Sequence, residues 1–454
     1  MSRFLRTAHI LAISWPLLLG GLGLAEDTQP SADPPTRETY LRLADTVEKH
    51  LREGVLAKWF PRCVDRRHGG FLPHFREDWS AGDQNDKCVV FQSRMTWTSA
   101  EVARRLPDLA DEYRGYARHG VDFLDKVMWD QECGGFYWGL DERGLVAPQY
   151  GREKHVYGIS FAIYGLSSAY RTTGEERALK LAQRTFRWLE EHAHDKVHGG
   201  YYEALTREGR PILTPPESSP GRAARTADFI GTRYGFKSMN THIHLLEALT
   251  ELALVWRDPC LEERLREVFR LVRNRIAVEP GCLNLFFTPD WRPVPDHDSF
   301  GHDVETAFLL LEAAAALQQP DDAKTLAVAR SLVDHALQWG WDDAQGGFYD
   351  KGAAFAAAWG REKIWWTQAE GLNALLLMHE RFGSQSPRYW NAFLKQWDFL
   401  WKRQIDHVHG EWFETVSAEG TPRPGQAKGT VWKAAYHNGR ALLTVAEALR
   451  HLAQ

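Results

Sequence analysis

Side chains suited to proton transfer and sugar binding recur at the starts of apolar, helix-length stretches of this 454-residue chain. Imidazoles exchange protons near neutral pH, indole faces stack on sugar rings, and arginine or asparagine binds hydroxyl and carbonyl oxygens. Together these side chains predict proton abstraction beside a carbonyl group. In chain order they are Arg94 with Trp97, Tyr157, Asn240 with His242, His244 and Glu247, His302 with Glu305, Trp365 and Trp366 with Gln368 and Glu370, Trp432, and Tyr436 with His437 and Asn438.

An open-chain aldose offers such a proton at C2, because the C1 aldehyde makes it acidic. A cation or hydrogen-bond donor beside O1 stabilises the enediolate that forms when this proton leaves. Two bases on opposite faces then allow epimerisation, since one removes the proton and the other returns it from the other side. We therefore expect a small-molecule sugar as the partner of this chain.

The histidines of the chain divide into two sets. His302 and Glu305 are three residues apart and share a helix face, where the carboxylate can orient the imidazole and raise its basicity. Three helix starts in a repeated architecture supply histidines, which packing alone does not require. By contrast, His68, His198 and His409 each precede a glycine in a repeated turn sequence that we expect opposite the helix starts. We expect these three histidines to be structural.

The histidine pattern does not predict a metal site. His302-x-x-Glu305 is not the HExxH motif of zinc hydrolases, and the His242-x-His244 spacing directs the two imidazoles to different helix faces. The sequence has neither a G-x-S-x-G motif nor a phosphate-binding loop. We therefore expect no metal and no cofactor, and neither a serine hydrolase nor a nucleotide-dependent enzyme.

Three alternative functions share these residues. Aldose–ketose isomerisation differs only in returning the proton to C1 instead of C2. A glycoside hydrolase or unsaturated-uronyl hydrolase needs two carboxylates that flank the scissile bond, a role open to Glu305 and Glu370. Hydrolysis, however, leaves three histidines and an arginine unexplained. The third alternative is a sugar-binding protein that has lost catalysis.

A Gly-Gly-aromatic signature, usually preceded by Asp and often by His, repeats through the chain. Its first glycines are separated by 65, 65, 82, 65 and 64 residues. The long interval contains a Pro/Ser/Arg-rich insertion, residues 209–228, which accounts for its additional length. The six copies, of which the fourth is degenerate, begin at Gly69, Gly134, Gly199, Gly281, Gly346 and Gly410.

Two helix-length stretches with apolar periodicity lie between successive signatures, one charged and amphipathic and one rich in apolar and small residues. Such hairpins bury their apolar faces only against neighbours, so six of them predict an all-α, closed, double-layered toroid, the (α/α)6 barrel. We expect the apolar helices inside, their starts at one mouth, and short β-hairpins at one rim. The outer helices are expected at 38–53, 109–128, 175–193, 261–276, 321–337 and 388–404, and the inner ones at 94–105, 156–171, 239–253, 301–317, 365–380 and 435–450.

The composition is that of a globular protein, with 44% hydrophobic and 25% charged residues. A net charge of −5 and the lack of a Lys/Arg-rich run argue against nucleic acid as a partner. Five cysteines without CxxC spacing indicate neither a disulfide framework nor a zinc site. The 19 tryptophans exceed ordinary core filling and suggest surfaces on which sugar rings stack.

Residues 1–25 have the pattern of a cleavable export signal, with Arg3 and Arg6 before an apolar run that ends at Leu24-Ala25. We therefore expect an exported protein, periplasmic or secreted, whose residues 26–454 form a single catalytic domain. No later stretch reaches the ~20 apolar residues of a transmembrane helix, so we expect no membrane partner after cleavage. The expected assembly is a monomer or a homodimer.

Five inner-helix sequences resemble the N-acylglucosamine 2-epimerase superfamily, most closely its cellobiose 2-epimerase branch. They follow in the family's order within residues 38–450, as KCVVFQSRMTWT from Lys87, KSMNTHIHLLEA from Lys237, GHDVE from Gly301, WWTQAE from Trp365 and WKAAYHN from Trp432. The resemblance implies an (α/α)6 barrel and cofactor-independent 2-epimerisation at a reducing-end sugar, with a cellobiose-type β-1,4 disaccharide as the expected substrate.

The resemblance also implies roles for individual residues. His437 and His302 are the implied acid/base pair, with His437 the expected base at C2 and Glu305 a support for His302. The residues implied to hold O1 and O2 and to assist ring opening are Arg94, Asn240 and His244. The residues implied to line the sugar subsites are Tyr157, Trp365, Trp366, Glu370 and Trp432. The export signal and the insertion 209–228 depart from familiar members, and both bear on the substrate more than on the chemistry.

Overall fold

Twelve long helices alternate between two layers in residues 35–217 and 225–454, which are the residues that the computed structural model describes. In chain order they are α1 (Arg37–Lys49), α2 (Val89–Arg105), α3 (Ala110–Phe123), α4 (Val156–Thr173), α5 (Glu176–His192), α6 (Met239–Val255), α7 (Pro259–Leu271), α8 (Phe300–Ala316), α9 (Ala323–Trp339), α10 (Trp365–Phe382), α11 (Arg388–Phe399) and α12 (His437–Leu452). The helices expected from the sequence are all present, with ends that differ by a few residues.

The even-numbered helices form the inner layer and the odd-numbered helices the outer one. Four outer helices continue as π-helical turns, and two short segments, Ala57–Trp59 and the 3₁₀ turn Pro107–Leu109, complete the helical structure of the described ranges. The outer helices are amphipathic, as expected of elements with one solvent face. The π-helical turns are His50–Leu56, Leu124–Met128, Val272–Ile276 and Leu400–Gln404.

The inner helices close into a ring. Each packs against the next from α2 to α12, and α12 returns to α2, while α1 covers the outside of α12. At the closing contact the Thr98 hydroxyl donates to the carbonyl oxygen of Ala435 across 3.4 Å. Nearly every side chain of the inner helices is buried, which is why these helices are richer in apolar and small residues than the outer ones. The predicted (α/α)6 barrel is confirmed.

Short antiparallel ladders precede most of the inner helices. All but one of these ladders pair the strand that leads into an inner helix with a strand from the following hairpin, so that they link neighbouring hairpins. The pairs are Lys87–Cys88 with Gly139–Leu140, Lys154–His155 with Ala204–Leu205, Lys237–Ser238 with Phe286–Phe287 and then Pro293–Val294, Asp298–Ser299 with Lys351–Ala353 and then Ala356–Gly360, Lys363–Ile364 with Thr415–Val416, and, within one hairpin, Ala277–Val278 with Cys282–Leu283.

The Gly-Gly turns lie at the same rim as the inner-helix starts, so the expectation that they lie opposite is wrong. In the first turn, Gly69 and Gly70 adopt left-handed φ values of 83° and 67°. The buried Asp65 accepts the Lys87 ammonium at 2.7 Å, and the amide of Phe71 donates to Gln92 in α2. Because the outer helix ends where the next inner helix begins, each turn braces an inner-helix start.

This lysine–aspartate pair recurs around the rim and explains why Asp precedes the glycines. The equivalent pairs are Lys154–Asp130 at 3.2 Å, Lys237–Asp195 at 2.7 Å, Lys363–Asp342 at 2.7 Å and Lys428–Asp406 at 2.5 Å.

Residues Pro35–Gln454 form one compact unit. The expected export signal, residues 1–25, lies outside the described residues, as do residues 218–224 of the insertion. Within the described ranges no helix combines the length and apolar character that crossing a bilayer requires. Export and assembly state remain predictions.

Candidate active site

A cavity of about 430 Å³ opens at the mouth formed by the inner-helix starts. Such a volume lies within the range of small-molecule sites. The cavity brings together ten of the eleven site residues expected from the sequence, namely Arg94, Tyr157, Asn240, His244, His302, Glu305, Trp365, Trp366, Trp432 and His437. Glu370 is the exception, since it is fully buried and does not line the cavity.

His437 begins α12 and is held from behind by Glu370. Its Nδ1 donates to Oε1 of Glu370 across 2.6 Å, which leaves Nε2 for the cavity. Burial, followed by the nearby guanidinium groups of Arg94 and Arg440, lowers the pKa of His437 well below its usual value. The expectation that Glu370 lines a sugar subsite is therefore corrected: this carboxylate orients the imidazole of His437.

His302, in the first turn of α8, is held by a different partner from the one expected. A hydrogen bond of 2.7 Å joins its Nδ1 to the hydroxyl of Ser299, at the end of the strand before the helix. Glu305 instead accepts from Arg440 at 2.8 Å, so the expectation that this carboxylate orients His302 through the i, i+3 spacing is wrong. Burial lowers the pKa of His302 to about 4, with Glu305 opposing the shift. This imidazole is therefore neutral at neutral pH.

His244 provides a third imidazole on the cavity wall. Its Nδ1 donates to Oε2 of Glu247, one turn further along α6, across 2.9 Å. The ring packs against Phe161, with centroids 4.6 Å apart. In each of the three cavity histidines, the protein partner therefore binds Nδ1, and Nε2 is the nitrogen that remains for a ligand.

Arg440 is the functional residue that sequence reasoning missed. Its guanidinium donates to Glu370 at 2.7 Å, to Glu305 at 2.8 Å and also to Glu247. Although burial raises the pKa of Glu247, Arg440 and His244 hold it at about 2. One buried cation thus connects the carboxylates behind two of the histidines. The signal was available, because Arg440 lies three residues after His437, in the first turn of an inner helix.

The contacts of Arg440 also show whether the carboxylates around it fit a metal ion. Donor atoms of Glu305, Glu370 and His437 lie within 4.8 Å of one another, as metal ligands do. The guanidinium of Arg440 already supplies the positive charge between the two carboxylates. The residues therefore fit an arginine-centred network better than a metal centre.

Arg94 and Tyr157 form another wall of the cavity. Nη2 of Arg94 donates to the hydroxyl of Tyr157 across 3.2 Å, and the guanidinium stacks on Phe161 and Tyr436, 4.4 Å and 4.9 Å from the ring centroids. Burial raises the pKa of Tyr157 to about 12, so the phenol keeps its proton. The buried Nε of Arg94 has no protein partner. This arginine can therefore bind an oxygen of a ligand.

Three tryptophans line the cavity as expected. Trp366 contacts both catalytic candidates, with its ring centroid 4.8 Å from that of His302 and 5.8 Å from that of His437. Trp365 is buried beside His437, whereas Trp432 is 38% exposed at the rim. The half-buried Asn240 presents an amide oxygen that has no protein partner.

Loop residues complete the cavity, and the hydrophobic periodicity of the sequence did not predict them. Phe229 and Ile230 follow the insertion and are carried by a loop that is tied to the strand before α4 by a 2.9 Å contact between Asp228 and His155. Phe229 stacks on Trp138 at 5.0 Å. The other lining residues missed are Ile364, Glu414 and Thr415.

His242 and the turn histidines do not belong to the site. His242 bonds through Nδ1 to the Ser238 carbonyl oxygen, and its Nε2 accepts the amide proton of Tyr201 in the third Gly-Gly turn. His198 lies in that turn, where its Nδ1 is 3.3 Å from its own turn aspartate, Asp195. His68, His198 and His409 do not line the cavity.

Comparison of the sequence with known proteins identifies the family of this chain. The model of the N-acylglucosamine 2-epimerase (GlcNAc 2-epimerase) family matches residues 69–441. A cellobiose 2-epimerase from Bacteroides fragilis is 33% identical over 402 residues, covering 88% of this chain and 97% of that protein. A D-mannose isomerase from Marinomonas mediterranea is 25% identical over 418 residues, covering 89% of this chain and 97% of that protein.

A solved structure agrees with the sequence relatives. The cellobiose 2-epimerase from Spirochaeta thermophila superposes with a TM-score of 0.80 at 30% identity, covering 93% of this chain and 100% of that chain. The chain therefore belongs to the N-acylglucosamine 2-epimerase family.

Proposed function

We propose that this chain is a sugar 2-epimerase that interconverts the gluco and manno configurations at C2 of a reducing-end aldose. The proposed substrate is a cellobiose-type β-1,4 disaccharide. Membership of the family and the similarity to cellobiose 2-epimerases support the reaction class. The observation that carries the chemistry is that His302 and His437 line one cavity, each with Nδ1 engaged by the protein.

In the proposed first step, neutral Nε2 of His437 takes the C2 proton of the open-chain sugar. The electron pair of the C2–H bond moves into the C1–C2 bond, and O1 becomes an enediolate oxygen. Glu370 accepts from Nδ1 and stabilises the imidazolium that forms, as a carboxylate does in other acid/base dyads. Arg440 keeps that carboxylate in place.

In the second step, the negative charge of the enediolate favours the imidazolium form of His302, which takes a proton from solvent and gives its Nε2 proton to the other face of C2. The Nδ1–H of this imidazolium donates to the Ser299 hydroxyl, which holds the ring in place, and His437 returns its proton to solvent before the next turnover. Arg94, Asn240 and His244 bind O1 and O2 and stabilise the enediolate charge. No metal or organic cofactor takes part in this proposal, because two histidines that exchange protons with solvent make both proton transfers and protein groups supply the countercharges.

Nuclear magnetic resonance of a sugar panel in D2O tests the proposal. We expect cellobiose, and to a lesser extent mannose or glucose, to acquire deuterium at C2 of the reducing sugar while its epimer appears. The control is His198→Ala, which removes a turn histidine outside the cavity and is expected to leave exchange unchanged. Hydrolysis of a glycosidic bond without C2 exchange would reject the epimerase proposal.

Aldose–ketose isomerisation is the second candidate, and the similarity to a D-mannose isomerase favours it. The same enediolate leads to a ketose when the proton returns to C1. In the D2O experiment, isomerisation places deuterium at C1 of a ketose, so the two reactions are separated by one spectrum.

Hydrolysis is disfavoured by the positions of the carboxylates. Glu305 and Glu370 both accept from Nη2 of Arg440, and Glu370 lies behind His437 instead of facing the cavity. Two carboxylates on one guanidinium nitrogen do not flank a glycosidic bond as hydrolysis requires.

A further inference from the structure

A second cluster of buried ionisable groups lies next to the segment that carries His302, outside the cavity. Asp298 belongs to the strand before α8, Asp303 to the first turn of α8, and His335 to α9. None of the three residues is more than 3% exposed. One donor atom of each lies within 4.8 Å of those of the other two.

The polar atoms of this cluster form no hydrogen bond of normal geometry. Both oxygens of Asp298, both oxygens of Asp303 and Nδ1 of His335 are buried without a hydrogen bond. No lysine or arginine in the described ranges forms an ion pair with either carboxylate, although His335 lies close to both. Two adjacent buried carboxylates without a countercharge are costly, and a bound cation would remove this cost.

The geometry of His335 identifies the kind of cation. Its Nε2 donates to the carbonyl oxygen of Ala354 across 2.8 Å, because a carbonyl oxygen can only accept. Nδ1 therefore faces oxygens of Asp298 and Asp303, at 3.4 Å and 3.7 Å. These separations are long for hydrogen bonds. They are close to the ~3.3–3.6 Å between neighbouring ligands of a tetrahedral zinc ion with bonds of about 2.0–2.2 Å.

Two further features fit a metal ligand set. A backbone carbonyl that holds the second ring nitrogen, as Ala354 does for His335, is the usual outer contact of a metal-binding histidine. Two carboxylates and one neutral imidazole balance the charge of a divalent ion. The strand Cys282–Leu283 packs against all three elements that carry the ligands.

The other clusters of this kind are already satisfied. Glu203 accepts from the backbone and hydroxyl of Ser238 and from Thr241, while its neighbour His155 is bonded to Asp228 at 2.9 Å. The cluster behind His437 contains Arg440. The unpartnered donor atoms thus distinguish the cluster at α8.

We propose that Asp298, Asp303 and His335 bind one divalent cation of the zinc type, with water in the fourth position. The ion ties the strand before α8 to α8 and α9. It fixes the segment in which Ser299 contacts His302, since these two residues adjoin Asp298 and Asp303 in sequence. The site is structural and supplies no group to the proposed reaction, so it stands independently of the proposed function.

Zinc binding by the mature chain, without an affinity tag, tests this site. After removal of metals with a chelator, titration with Zn²⁺ alone is expected to show one ion per chain and to raise the thermal midpoint by about 2 °C or more. Co²⁺ alone is expected to give the visible absorption of a four-coordinate ion. A wild-type chain that binds no stoichiometric Zn²⁺ overturns the proposal and leaves a proton shared by the two carboxyl groups.

Variants locate the ion. Asp298→Asn and His335→Gln are expected to lose the bound zinc and the thermal shift, whereas His437→Ala and Asp228→Asn keep both. Should the first two variants fail to fold, the Co²⁺ spectrum of the His437→Ala chain decides, because an unchanged band excludes the cluster of Glu305, Glu370 and His437 as the site. Zinc that is lost with His437→Ala, or retained in a folded Asp298→Asn chain, overturns the assignment.

Discussion

Nδ1 of His437 lies 2.6 Å from Oε1 of Glu370, and this carboxylate does not itself line the cavity. The same oxygen accepts from Arg440 at 2.7 Å. His437 is therefore positioned by a carboxylate that is itself positioned by a buried cation. Such an arrangement fixes the imidazole ring before substrate binds. The free-energy cost of orienting the ring is therefore part of folding and does not add to the reaction barrier.

Replacing Glu370 by glutamine is expected to lower kcat by about 100-fold or more with little change in KM. The amide keeps the shape but loses the charge that stabilises the imidazolium. Steady-state epimerisation of cellobiose measures both constants. Glu251→Gln is a matched control, because Glu251 is also buried and pairs with Arg171 at 3.0 Å without lining the cavity. A Glu370→Gln enzyme with the kcat of the wild type would contradict the dyad.

Alanine at His302 or His437 is expected to abolish turnover while the fold survives. Each substitution removes one of the two groups that exchange the C2 proton, and both side chains border the cavity, so that their truncation leaves no closed void. Deuterium incorporation at C2 in D2O measures the loss, with circular dichroism and the thermal midpoint as tests of folding. Substantial epimerisation by either variant would remove that residue from the acid/base pair.

Arg440→Met is expected to lower the free energy of unfolding by about 3–5 kcal/mol, because it leaves buried carboxylates without their cation. Urea denaturation measures this quantity. Arg450→Met is the surface control: Arg450 is 40% exposed and pairs with Asp45 at 3.1 Å, so its loss is expected to cost at most about 1 kcal/mol. Equal effects of the two substitutions would show that the buried network is not a major source of stability.

The sequence predicted the barrel because its pattern is repeated. Gly69 and its five equivalents set the period, and two apolar-periodic stretches in each interval define the layers. Helix starts could be assigned without knowing contacts, so ten cavity residues were found. The contacts of Glu305 with Arg440 and of Glu370 with His437 were not predicted, because the spacing of residues along one helix does not show which residue of another helix they contact. Glu370 contacts a residue 67 positions away.

Other parts of the site depend on tertiary contacts alone. Arg440 joins carboxylates from three helices, none of which is near it in sequence. Phe229 reaches the cavity on a loop whose course is fixed by the contact between Asp228 and His155. Periodicity cannot place a loop, since loop conformation follows from the surfaces on which it packs.

The pH dependence of kcat/KM follows from the lowered pKa of His437. Burial, Arg94 and Arg440 disfavour the imidazolium, so the neutral base persists to lower pH than for a free histidine. Activity is therefore present above the lowered pKa and is lost as pH falls through it. We expect a constant kcat/KM between about pH 6.5 and 8 and an acid limb below that range. An acid limb centred at or above pH 6.5 would contradict the assignment of His437 as the base.

Trp432 offers a test of the disaccharide substrate. It is 38% exposed at the rim, and its ring lies 6.2 Å from Trp138, which stacks on Phe229. This aromatic surface extends outward from the histidines, where the non-reducing sugar of a disaccharide would lie. Trp432→Ala is therefore expected to raise KM for cellobiose by about tenfold, or ~1.4 kcal/mol, with kcat unchanged.

The same variant is expected to leave KM for glucose or mannose unchanged, since a monosaccharide occupies only the inner part of the cavity. Steady-state kinetics with each sugar measures the difference. Trp401→Ala is the matched control, because Trp401 is 41% exposed and lies away from the cavity beside His407. An equal rise in KM for the monosaccharide and the disaccharide would place Trp432 at the reducing-end ring and remove the structural argument for a disaccharide.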